Sequence, residues 1–283
     1  MITDNLTNVV YFSSLLPEKC PILNAHITEE LQKRGISYGY LSGTKDIWCR
    51  DYMPIQIARD HFVLYKYTPD YLQDKVGLRI QTNPEEVFQT EDKQLQSIWR
   101  KCSAIDLVMD GGNVVKCGNV IVMTDKVFAE NRGKSPIEVE RILKDAFQNE
   151  LLFLPFDRNG DVYGLGHSDG IAHYVGNGKI LLTNYDDFST YFYRRYRKAL
   201  NARFEVTTLK YISKRIHARS WAYINYLQVG DLVFVPQLGL EEDRQALEQI
   251  NNALPDCEVV GIPALEAVRR GGALNCISWN IQI

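Results

Sequence analysis

The sequence predicts an α/β fold built as a closed ring of five units, each made of two strands, a helix and a third strand. Three observations predict it. Apolar periodicity repeats the order strand, strand, helix, strand along the chain. Successive units begin roughly 50 to 60 residues apart, a period that marks repeat architectures. The fifth unit is divided between the two termini, as a closed ring requires.

The first complete unit opens at Pro54 with PIQIARDHFVLYKY, a strand pair turning at Arg59-Asp60. A helix over residues 85–99 and the apolar run IDLVM at 105–109 complete it. The second starts with VVKCGNVIVM at 114–123, a hairpin turning at Gly118-Asn119, and continues into a helix opened by Ser135-Pro136-Ile137-Glu138. Ser at the cap, Pro at the first helical position and Glu at the third satisfy or remove otherwise orphan backbone donors. LLFLPF at 151–156 closes this unit. The third comprises IAHYVGNGKILLTNY at 171–185, a helix over 187–200 and FEVTTLK at 204–210. The fourth comprises AYINYLQVGDLVFVPQ at 222–237, a helix over 241–254 and EVVGI at 258–262. The fifth joins the strand ALNCISWNIQI at 273–283 to NVVYFS at 8–13, a helix over 25–34 and ISYGYL at 36–41.

Of 283 residues, 45% are hydrophobic and 24% charged, the balance of a soluble globular protein, and no Pro/Gly/Ser-rich linker marks a seam. One domain over residues 1–283 is expected. The net charge of −3, from 32 basic and 35 acidic residues, and the lack of a long basic run argue against nucleic-acid or anionic-membrane partners. Residues 1–16 carry neither a basic n-region nor a small-residue cleavage site, so no signal peptide is expected, and no segment approaches membrane-spanning length. The six cysteines are irregularly spaced without a C-x-x-C pair, which suits free thiols in a reducing cytoplasm. No Cys/His cluster has metal-ligand spacing, so neither metal nor other cofactor is expected.

In a ring, the residues just before each hairpin occupy equivalent places near the axis. Here they are chemically unusual: Asp46-Ile47-Trp48-Cys49-Arg50-Asp51 before the first, Asp110-Gly111-Gly112-Asn113 before the second, His167-Ser168-Asp169 before the third, and Gly271-Gly272-Ala273-Leu274-Asn275-Cys276 in the fifth. Singly, each has a structural reading. A lone strand Cys is a small hydrophobe, an Asp before Gly-Gly is a turn former, and Arg50-Asp51 is a surface pair worth little. Together, a thiol, an imidazole and three carboxylates define a candidate active site. His167 and Asp169, one residue apart, are expected on the same side of a strand.

DIWCRDYMP, DGGN, HSD, YINYLQVGDLVFVPQ and GGALNCIS occur in the order found in the guanidino-group-modifying superfamily. The chain resembles its agmatine deiminase and bacterial peptidyl-arginine deiminase branch. The resemblance implies the pentein fold, five ββαβ units around a pseudo-fivefold axis. It further implies Cys276 as nucleophile, His167 as general acid and base, Asp110 as the carboxylate that orients that histidine, and Asp51 with Asp169 as the guanidinium clamp. Trp48 and Asp46 would line the same pocket. The implied activity is hydrolysis of a small cationic guanidine, such as agmatine or an arginine derivative, to a ureido product and ammonia, in the setting of polyamine biosynthesis. Three places depart from the family pattern: Met53 stands where glycine is usual before the proline, His173 where arginine commonly follows the His-x-Asp, and Thr124-Asp125-Lys126 where an acidic Thr-Thr-Glu-like stretch is usual.

The chemistry explains the residue types. A guanidinium is charged throughout the physiological range, and a carboxylate accepts paired N–H bonds from its planar fork. The thiolate is the attacking form of cysteine, and ammonia leaves only if a proton is delivered to it. The alternatives are an amidinotransferase using the same cysteine, a papain-like thiol hydrolase with no need of three aspartates, and a pentein-fold binding protein without catalysis.

Overall fold

The computed structural model of the chain describes residues 1–160 and 165–283. Strands β1 (Val9–Ser13) and β2 (Ser37–Leu41) belong to the divided unit. The first complete unit holds β3 (Ile55–Ala58), β4 (His61–Lys66) and β5 (Cys102–Val108), and the second β6 (Val115–Cys117), β7 (Val120–Thr124) and β8 (Glu150–Leu154). The third holds β9 (Ala172–Gly176), β10 (Lys179–Leu182) and β11 (Glu205–Thr208), and the fourth β12 (Leu227–Val229), β13 (Leu232–Gln237) and β14 (Glu258–Pro263). β15 (Ser278–Ile281) returns to the divided unit, so the described strands make five three-stranded sheets.

Every sheet has the same pattern. The middle strand pairs antiparallel with its hairpin partner and parallel with the strand beyond the helix. A parallel neighbour needs a long crossover, which the helical segment supplies. In the divided unit Val9 lies opposite Ile281 and Phe12 opposite Ser278, joining the two ends of the chain. The architecture is therefore five ββαβ units in a ring.

The helix Pro136–Phe147 begins as its sequence requires: the Ser135 hydroxyl accepts the Glu138 N–H at 3.2 Å. That cap is worth about 1 kcal/mol. The helix buries Val139, Leu143 and Phe147, one face at a spacing of four. The helix expected over residues 85–99 is instead broken into Pro84–Phe88 and Lys93–Trp99. Asp92 causes the restart: its carboxylate takes the N–H groups of Gln94 and Leu95 at 2.8 and 3.1 Å, which favours a cap over helix interior.

The second difference bears on the site. The segment before each hairpin is a short helical turn: Cys49–Tyr52, Gly111–Asn113, Ser168–Gly170 and Ser220–Ile224. Residues 273–277 also fold back, with Ile277 N–H bonded to Ala273 O at 3.3 Å and Ser278 N–H to Asn275 O at 3.1 Å. Thus Cys276 precedes a strand, and His167 and Asp169 do not share a strand face. Asp169 lies inside a turn closed by the Ile171 N–H on Ser168 O at 3.0 Å, with His167 as its leading flank. The turns touch in sequence around the axis, and Arg50 N–H to Cys276 O and Asn275 N–H to Asn225 O, both 3.1 Å, tie in the fifth.

No helix among the described residues is long and apolar enough to cross a membrane, and all six cysteines are unpaired.

Trp279 of β15 locks the divided unit to the first. Its ring, 3% exposed, packs against Tyr11, Phe62 and Phe88 at centroid distances of 5.5, 6.2 and 6.2 Å. Its indole N–H donates to Pro54 O at 2.8 Å. Trp279→Ala should lower the unfolding free energy by about 3–5 kcal/mol in a denaturant titration, the usual cost of emptying an aromatic core position. A loss below about 1 kcal/mol would show that ring closure does not rest on this contact.

Candidate active site

Close approach of the seam turns depends on two glycines. A Cβ on Gly112 would lie 2.6 Å from both Asp51 Oδ1 and His167 Nδ1, and one on Gly111 would lie 2.0 Å from the Arg50 carbonyl oxygen. Lacking one, Gly112 brings its N–H to Asp51 Oδ1 at 3.1 Å. Gly-Gly after Asp110 is thus what lets three turns meet.

Where they meet, His167 lies between two carboxylates. Its Nε2 is 2.9 Å from Asp110 Oδ2, and its Nδ1 is 3.6 Å from Asp51 Oδ1. An ionised carboxylate only accepts, so Nε2 carries the hydrogen of the Asp110 bond. Nδ1 has no hydrogen-bond partner among the described residues. It is therefore the nitrogen available to exchange a proton.

Burial governs the charges. It pulls the His167 pKa down, but the charge of Asp51 and the hydrogen bond and charge of Asp110 outweigh it and raise the value to about 9. Burial pushes Asp51 up to about 7, against the charge of His167 and with the help of Asp110, Asp169 and Asp46. Burial would raise Asp110 also, yet its bond to His167, the charge of His167 and then Lys126 hold it below the usual carboxylate range.

Cys276 faces Asp169, with Sγ 3.6 Å from Oδ2, and the same oxygen accepts the Asn275 amide at 2.7 Å. Burial, then the charges of Asp169 and Asp51, push the thiol well above its ordinary pKa. These effects favour the protonated thiol.

His167, Asp169 and Cys276 line a cleft of about 160 Å³ together with Asn225, and the walls beyond include Phe156, Ile171, Tyr185, Phe188 and Trp221. Asp51 and Asp110 stand against His167. Neither Asp51 and Asp110 nor Asp46 and Trp48 are among the described residues that line the cleft. Asp46 Oδ1 accepts the Trp48 N–H at 2.7 Å and Oδ2 accepts the Thr82 hydroxyl at 3.0 Å, bracing the loop before the first seam. The Trp48 ring lies on Gly272, where a Cβ would be 2.3 Å from Cζ3.

Two further seam residues, not among the expected site residues, reach the site. Asn225 precedes the fourth hairpin, as Asn113 precedes the second; its Oδ1 accepts the Cys276 N–H at 3.3 Å and its amide donates to Asp169 O at 3.4 Å. Its position before a hairpin was the available signal. Arg50 is half-buried rather than a surface partner of Asp51, donating to Asn275 O at 3.3 Å and Asn280 Oδ1 at 2.6 Å.

A ring of five ββαβ units with these groups at its seams is a pentein. Residues 23–281 match the Porphyromonas-type peptidyl-arginine deiminase family, and the chain belongs to it. An agmatine deiminase of Pseudomonas aeruginosa is 24% identical over 209 residues, which cover 61% of this chain and 56% of that protein. The chain spans 56–57% of the length of such curated relatives. An agmatine deiminase of C. jejuni with substrate bound has the same fold, with a TM-score of 0.74 at 14% identity, covering 99% of this chain and 95% of the other. The agmatine deiminase of Enterococcus faecalis gives 0.72 at 18% identity, covering 98% and 94%.

The field around Cys276 is testable through its reactivity. Asp169→Asn removes one of the charges opposing ionisation, so alkylation of Cys276 by iodoacetamide near neutral pH should accelerate about tenfold, one pKa unit in the fraction ionised. An unchanged rate would mean that Asp169 does not govern the thiol.

Proposed function

We propose that the chain is a single pentein catalytic domain that hydrolyses a guanidinium compound to its ureido product and ammonia through a covalent adduct on Cys276. The observation that supports this most is one cleft holding both a thiol, kept protonated by burial and by two carboxylates, and an imidazole whose Nδ1 has no hydrogen-bond partner among the described residues. The substrate's planar cation binds between Asp51 and Asp169, with charge-assisted bonds to each. Its positive charge offsets the field that kept Cys276 protonated, so the thiol releases its proton to solvent as the substrate binds and the thiolate forms beside the carbon it attacks, with His167 still protonated.

The resulting tetrahedral adduct collapses when His167 delivers a proton from Nδ1 to the departing nitrogen. Ammonia leaves and an S-linked thiouronium remains. Water then adds to the same carbon, losing a proton to Nδ1, and expulsion of the Cys276 sulfur gives the ureido product. Asp110 keeps the imidazole oriented and stabilises its charged form. Asn225, bonded to the Cys276 N–H, holds the nucleophile's backbone in place.

The cleft walls support a substrate class. They are largely aromatic and aliphatic, and the described lining residues include no Lys or Arg to pair with a carboxylate. This favours a guanidine whose tail carries no free carboxylate, such as agmatine or the side chain of a peptidyl arginine.

Ureido product should therefore form from agmatine or from an N-acetylated, amidated arginine with kcat/KM at least about tenfold above free arginine, or about 1.4 kcal/mol. On the best substrate, kcat/KM should rise with pH through about 7 as Asp51 ionises, and fall above about 9 as His167 loses its proton. Absence of ureido product from all three compounds would overturn the reading. A preference for free arginine would overturn the substrate class alone.

A further inference from the structure

We propose that Lys126 is a positioning residue of this site: its buried ammonium shares the Asp110 oxygen that holds His167, and thereby limits how firmly His167 keeps its proton. Lys126 opens the short helix Lys126–Glu130 that follows β7, and its side chain is 1% exposed. Its Nζ lies 3.2 Å from Asp110 Oδ2, the oxygen that His167 Nε2 approaches at 2.9 Å. The stem runs past the residue preceding that histidine: a Cβ on Gly166 would be 2.8 Å from Lys126 Cδ. Tyr71 spans both groups, its ring centroid 6.2 Å from that of His167 and 5.2 Å from Lys126 Nζ.

Two cations on one carboxylate oxygen compete for its charge. The groups facing His167 are Asp51 from the first seam, Asp110 from the second, Lys126 after β7 and Tyr71 from the turn Asp70–Leu72. Glu130 and Asp70 act through Lys126, at 3.1 Å each. Without Lys126 the full charge of Asp110 would fall on His167, fixing its proton more strongly. A histidine that must give a proton to ammonia and then take one from water works best with intermediate basicity. Lys126 opposes the combined pull of Asp51 and Asp110, which already raise His167 to about 9.

The kinetic consequence rests on the proposed deiminase reading, but the electrostatic claim does not, so the test reads both. The imidazole of His167 would be followed by NMR in ring-labelled protein, its signal assigned by loss in His167→Gln, with and without Lys126→Met. The His167 titration should move upward by about one pH unit in Lys126→Met and stay near the parent value in Lys126→Arg. The alkaline limb of kcat/KM on the best guanidine should move with it. A His167 midpoint unchanged within about 0.3 unit in folded Lys126→Met overturns the proposal. Should Lys126→Met not fold, Lys126→Gln makes the same comparison, and failure of both neutral variants to fold would assign Lys126 a purely structural role and overturn it as well. If no guanidine is turned over, the functional reading falls while the NMR shift still decides the role of Lys126.

Discussion

The site depends on an excess of buried negative charge where the five units meet. Asp51, Asp110 and Asp169 are each at most 4% exposed, and like charges taken out of water oppose one another's ionisation. The fold offsets them unevenly. Asp110 has both His167 and Lys126, Asp51 has His167 and the Gly112 N–H, and Asp169 has, among the described residues, the neutral donors Asn275 and the Cys276 thiol. The deficit thus lies beside the sulfur. Under the proposed function, the same deficit selects a planar cation and makes its arrival the event that frees the thiolate.

Such a cluster needs backbone to come unusually close, and the ring provides it. Each ββαβ unit places a short turn next to the axis, and each turn contributes one or two candidate site residues from a different part of the sequence. Arg50 binds the backbone of the segment carrying Cys276, and Asn225 links that segment to Asp169. Pairing of β15 with β1 carries the Cys276 segment into the ring, so closure of the fold and completion of the site are one event.

Much of this was legible in the sequence. Hairpins with alternating apolar residues and a Ser-Pro-x-Glu helix start gave the units, and the divided fifth unit gave the ring. Local capping was less legible: Asp92 breaks a helix that periodicity alone carries across residues 85–99. The strand reading of His167 and Asp169 failed for a related reason. One-turn helices and the folded-back segment 273–277 are too short to leave a periodic signal, yet they and their flanks place the seam residues. Asn225 lies within YINYLQVGDLVFVPQ, but neither its amide nor Lys126 shows in the sequence which partner it meets; only the fold brings them to Asp169 and Asp110.

The most direct test of the account is mass spectrometry of the protein quenched in acid during turnover of agmatine or a capped arginine. The account predicts that the peptide containing Cys276 gains the mass of the substrate less ammonia, that the gain is absent in Cys276→Ala, and that it disappears as substrate is exhausted. Turnover in Cys276→Ala, or an adduct on another residue, would contradict it.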